Sequence, residues 1–172
     1  MEIHPVIKQF AHTLRNLDAV LEKATKHAEA RKFDVNNFVG VRLFPDMLPF
    51  VFQIRNACDQ AKSAAANLSG KEAPRHEDTE KTFPELRERI AKCAAYLDTF
   101  TPADFASVKP DTLIKLPIAS RPGRAIPAAE YLYARQIPNF FFHTTTAYNM
   151  LRQGGVEIGK GDYLGPLGYV DL

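Results

Sequence analysis

A histidine and an asparagine one helical turn apart are the residues best placed to do chemistry. Asn139 and His143 stand at i, i+4 in the stretch IPNFFFHTTTAYNMLRQGG, residues 137–155. At about 100° per residue, Leu132, Asn139, His143, Thr146 and Met150 share one helix face, with Arg135 at its edge. Two side chains at that spacing can grip one metal ion or one polar group of a substrate. A pair of histidines would signal a transition metal. An amide oxygen is a poor ligand for zinc or nickel, so Asn-x-x-x-His points more to polar binding or proton transfer, which imidazole performs near neutrality without a metal. The reading preferred over both is a core histidine whose ring nitrogens bond to Thr, Asn or Gln across the interior. Gln53, Asp46, Thr146 and Tyr148 complete the set of candidate binding residues.

Three other features invite a chemical reading. Residues 154–160 spell Gly-x-x-x-x-Gly-Lys, the opening of a phosphate-binding loop. That loop needs a preceding strand, a Ser or Thr after the Lys, and a following helix. Here a helix is expected before it, Gly161 follows the Lys, and no helix is expected after it, so Lys160 and Asp162 are assigned to a packed tail or one end of a pocket. Cys58 and Cys93 lie on helical seams, which predicts buried, inert thiols rather than nucleophiles. Phe140, Phe141 and Phe142 point in three directions on a helix, so one core cannot take them all. Either the segments around the helix cover the outward ring or a second subunit does.

The elements that hold these residues follow from periodicity. Residues 3–31 place Ile3, Ile7, Phe10, Leu14, Leu17, Leu21, Ala24 and Ala28 at alternating four-three spacing, a heptad seam. Residues 32–44 form a connection in which Phe33, Phe38 and Val39 can tuck under the helices. A second helix is expected from an Asp46 N-cap to Ser69-Gly70, with the stripe Met47, Val51, Ile54, Cys58, Ala61, Ala65, Leu68. Residues 71–81 read as a solvated loop with His76 on the surface. Thr82 and Glu85 have capping-box spacing and open a third helix that Thr101-Pro102 closes. Its stripe is Phe83, Leu86, Ile90, Cys93, Leu97, Phe100. Residues 111–126 carry β-type residues and the turn signal Ser120-Arg121-Pro122-Gly123, which suits a short hairpin or an irregular loop. A fourth helix runs over 127–152, kinked at Pro138, apolar almost all round and therefore buried, and ended by Gly154-Gly155. The tail, 156–172, reads as an extended segment packed on the body.

Composition narrows the function classes. The chain has 172 residues, 45% hydrophobic and 24% charged, enough for one domain over 1–172 with a sizeable core. Its 22 basic and 20 acidic residues leave a formal charge of +2, which argues against nucleic-acid or anionic-membrane partners. No apolar run reaches the roughly 20 residues of a membrane span. No signal peptide is visible, and with thiol-type cysteines the expected location is cytoplasmic.

The whole chain resembles the DinB/YfiT-like superfamily of four-helix bundles, often called putative metalloenzymes. LPFVFQIRNACDQAK and IPNFFFHTTTAYNMLRQGGVEIGKGDYLG, with the hairpin region between them, resemble more narrowly a domain-of-unknown-function family within it. The resemblance implies an all-α, up-down-down-up bundle with a short hairpin or loop insert between helices three and four, often paired as a homodimer. In metal-binding members it implies a divalent ion held by a His of helix two and a His-x-x-x-His pair of helix four, and thiol-dependent transferase chemistry in some. Registered on Leu151, Arg152 and Gly155, the first His of that pair falls on Asn139 and the second on His143, and helix two offers Gln53 or Asp46 instead of a His. The expectation is therefore no cofactor, with zinc or nickel as the disfavoured alternative. Two functions stay open. The preferred one is a metal-free small-ligand-binding or structural homodimer. The other is a superfamily-type transferase or hydrolase, metal- or His-dependent, that acts on a small molecule at His143 with Asn139 and Gln53 orienting it.

Overall fold

The heptad seams meet as expected. A computed structural model describes residues 1–116 and 123–170. Helix α1 spans Ile3–Arg31, α2 Phe50–Ser69 and α3 Phe83–Asp98. The fourth rod is continuous from Ala128–Glu130 through a π turn, Tyr131–Gln136, into Ile137–Gln153, and is α4 below. A short α5, Lys160–Leu164, follows. Every residue of the α1 seam, and Phe83, Leu86, Ile90, Cys93, Leu97 and Phe100 of the third, is buried.

Cross-bundle contacts give the direction of each rod. Phe10 packs on Phe140 at a centroid distance of 4.3 Å and His27 lies beside Gly155, so α1 and α4 are parallel. Gln53 bonds to His143, and Tyr131 to Ser63 and Asn67, so α2 runs against α4. Arg87 holds Asp18 while Asp98 holds Lys8, so α3 runs against α1. The result is up-down-down-up. No helix among the described residues is long and apolar enough to cross a membrane.

The helix ends show where local chemistry acts. Thr82 and Glu85 form the expected capping box. Helix α2 departs from expectation: it begins at Phe50, and Asp46 is not its N-cap. The amides of Phe50 and Val51 instead donate to the carbonyls of Val41 (2.8 Å) and Val39 (3.1 Å) in the preceding connection. Backbone acceptors satisfy the orphan donors, which leaves Asp46 and Met47 in a turn outside the helix. In that connection, Asp34 caps the turn Val35–Phe38 and delivers Phe38 to the core. A Cβ at Gly154 would drive into the Phe38 ring, so this glycine lets the end of α4 meet it.

Pro138 is absorbed without a broken rod. Its ring would strike the carbonyl of Ala134 in a regular helix, and the backbone widens into the π turn just ahead of it. The turn aims buried Gln136 and Tyr131 at α2. The Gln136 amide donates to the Gln60 carbonyl (2.9 Å), and the Tyr131 hydroxyl accepts from Asn67 (2.7 Å) and donates to the Ser63 carbonyl (3.1 Å).

Between α3 and α4 lies a turn at Pro102–Phe105, then β1 (Leu113–Lys115) paired antiparallel with β2 (Ala125–Pro127), Ile114 opposite Ile126. Of the expected turn at Ser120-Arg121-Pro122-Gly123, residues 120–122 lie outside the described residues.

Two further expectations are corrected. Helix α4 is not buried all round: Phe140 is fully buried, but Phe142 is 56% exposed. The tail is not simply extended. Val156 and Ile158 are buried, α5 then docks on α1 through Asn16 and His12, which bond to the Leu164 carbonyl, and Leu167, Tyr169 and Val170 are exposed.

Candidate functional site

His143 sits on the inward face of α4, opposite the first turn of α2. It is 8% exposed, and Gln53 is 2% exposed. The imidazole Nδ1 lies 2.8 Å from Gln53 Oε1, while Gln53 Nε2 donates to the Leu48 carbonyl at 3.0 Å. That carbonyl can only accept, which fixes the amide with its oxygen toward the ring. Nδ1 therefore carries the proton and donates to Gln53, and Nε2 holds a lone pair. Nε2 has no hydrogen-bond partner among the described residues. Phe52 and Phe142 approach the ring edge-on, with centroids at 6.1 and 5.3 Å. Burial pushes the His143 pKa below its ordinary value, so the ring is neutral at pH 7. A neutral, oriented imidazole with one bare nitrogen can accept a hydrogen bond or take a proton.

The other expected residues are not drawn to that nitrogen. Asn139 is half-buried and its side chain makes no hydrogen bond among the described residues. The Thr146 hydroxyl is spent on the Phe142 carbonyl at 2.6 Å. Tyr148 turns toward the C-terminal segment and donates to the Ile158 carbonyl at 3.3 Å. Asp46 is exposed in the turn before α2. The structure thus joins Gln53 to His143 and leaves Asn139, Thr146, Tyr148 and Asp46 apart from the pair.

These donors do not fit a divalent ion. One imidazole offers a single nitrogen, Nε2, and the residues beside it on the resemblance register are neutral amides. Among the described residues no group of three His, Cys, Asp or Glu could hold a metal.

The thiols and the glycine-lysine motif are accounted for by packing. Cys58 and Cys93 are free and fully buried, and Cys93 Sγ donates to the Cys58 carbonyl at 3.3 Å. The hydrogen bond with Cys93, and then burial, push the Cys58 thiol well above its ordinary pKa, so it is no nucleophile at neutral pH. Contrary to expectation, a helix does follow the glycine-lysine motif. Its start is already filled by Asp162, which accepts from the Gly159 amide at 2.8 Å and pairs with Lys23 at 2.6 Å. A phosphate there would face a carboxylate.

Sequence periodicity missed a second polar centre. Arg89, 3% exposed, reaches Asp59 on α2 and Asp78 and Glu80 in the 71–81 loop, each at 2.9 Å. Glu80 also takes Arg55 at 2.8 Å. Burial alone would lower the Arg89 pKa, but the bond to Glu80 and the charges of Asp59 and Glu80 raise it instead. The loop is therefore clamped rather than freely solvated. His76 is half-buried with its Nδ1 sealed and without a partner, and burial followed by the charges of Lys62 and Arg89 lowers its pKa. The one signal in the sequence was the run of charges in 71–81, which looks the same whether paired or solvated.

Comparison with known proteins adds kinship. Residues 4–164 match a family described as a domain of unknown function, DUF1993. A solved structure described as a DinB family member protein from Shewanella denitrificans is 40% identical, with 96% of this chain and 93% of that chain covered and a TM-score of 0.90. No protein of curated function matches.

Proposed function

The chain belongs to the DUF1993 family of DinB-like bundles, and on that footing we propose that it is a metal-free small-ligand-binding or structural protein acting as a homodimer. The observation that carries this reading is the bond from His143 Nδ1 to Gln53 Oε1. It occupies one imidazole nitrogen with a protein amide and selects the Nδ1–H tautomer of the neutral ring. It leaves Nε2 as a single acceptor beside Phe52 and the exposed Phe142. An apolar surface with one acceptor suits a partner that brings a hydrogen-bond donor and hydrocarbon, either a second copy or a small ligand held with it.

The test is a calorimetric titration of untagged protein with zinc and with nickel. The reading expects no saturable uptake. One equivalent of either metal, lost in His143→Ala, would overturn it.

A second reading is favoured by the same bare nitrogen: an enzyme in which His143 Nε2 is the general base. Its pKa, lowered by burial, keeps the base form populated at neutral pH. A turnover abolished by His143→Gln but retained in stable Asn139 variants would move the conclusion to it.

A further inference from the structure

We propose that the cleft between α4 and α5, lined by Thr145, Tyr148, Asn149, Lys160 and Tyr163, binds a small aromatic carboxylate. The site is separate from His143. Its volume is about 160 Å³, below the range of drug-sized pockets and suited to a single ring.

Two tyrosines make its walls, and both have their hydroxyls engaged elsewhere. Tyr148 bonds to the Ile158 carbonyl, and Tyr163 bonds to the hydroxyls of Thr144 and Thr145 at 2.9 and 3.0 Å. What they offer the cleft is ring carbon. The rings meet at 75° with centroids 5.8 Å apart, a corner into which a third ring packs edge-to-face. At the rim stand Asn149 and Lys160, both exposed and neither in a side-chain bond or ion pair among the described residues.

Charge selects the anion. The lining itself is almost wholly apolar, so charge comes from the rim, where the Lys160 ammonium has no ion pair among the described residues and Asp162 on the same short helix is paired with Lys23. A monoanionic carboxylate matches a lone lysine with an amide beside it. Two of the larger concavities lack this combination. The one of about 270 Å³ beside Arg89 is lined largely by charges already paired with one another, such as Glu80 with Arg89 and Glu88 with Lys92. The one of about 370 Å³ on α1 has Lys23 and Lys26 tied to Asp162 and Glu22.

The experiment is an NMR titration of the full ¹⁵N-labelled chain with sodium benzoate, with benzyl alcohol as the uncharged control. Saturable shifts confined to amides of residues 145–149 and 160–163 are expected, with benzoate the tighter probe. Lys160→Met should weaken benzoate by about fivefold, the scale of an exposed ion pair, and leave benzyl alcohol unchanged. The unperturbed remainder of the amide spectrum reports that the variant is folded. Benzoate that shifts no amide in these segments, binds no tighter than benzyl alcohol, or binds Lys160→Met as it binds the parent chain overturns the proposal.

Discussion

His143 carries the account at the scale of single residues, because its neighbours decide its proton. The Leu48 carbonyl orients Gln53, and Gln53 orients the ring. Gln53→Leu removes the acceptor and leaves a buried Nδ1–H unsatisfied, which should cost about 1–3 kcal/mol in urea unfolding. It should also mix the tautomers in long-range ¹H–¹⁵N spectra, where the parent protein is expected to carry the proton on Nδ1. The pH dependence has a definite sign. Burial lowers the folded pKa of His143 below 6.5, so the unfolded chain takes up the proton first as pH falls. The neutral ring costs nothing above that value, and stability declines below it. His143→Gln should flatten that acid limb relative to the parent protein. Helical spacing puts Asn139 and His143 on one face but does not say which of them finds a partner. Rotamer and depth decide that, and only the antiparallel docking of α2 brings Gln53 within reach.

The elements were legible wherever one hydrophobic stripe faces one neighbour. The seams of α1 and α3, the Thr82–Glu85 cap and the end of α4 at Gly154 stand where periodicity and capping place them. The start of α2 was not legible, because its first amides are satisfied by Val41 and Val39 rather than by a side chain. The widened turn before Pro138 was legible only as a kink. Least legible was the clamp on the 71–81 loop, since a buried arginine has no periodic signature. Arg89→Met should lower stability by about 1–3 kcal/mol, the cost of losing charged hydrogen bonds whose acceptors Glu80 and Asp59 keep Arg55 and Lys62. It should also open the loop to cleavage by trypsin after Arg75. If trypsin cuts variant and parent at the same rate, the loop is not held by Arg89.

Among the described residues the bundle buries the stripes of α1 and α3 and leaves an apolar stretch of α4 exposed. Phe140 enters the core against Phe10, Phe141 is half-buried, and Phe142 remains open beside His143, with Leu48 exposed nearby in the turn that holds Gln53. The three-phenylalanine run announced that surplus in the sequence, and the fold shows which ring is left over. A second copy over this face would shelter both the ring and the bare nitrogen. Phe142→Asp should therefore shift the protein toward the monomer in sedimentation velocity while its helical content stays unchanged. The most direct measurement is native mass spectrometry of untagged protein. A species at twice the 19.3 kDa chain mass, with no metal adduct, is predicted. A monomer, or a species carrying one zinc or nickel per chain, would contradict a metal-free homodimer.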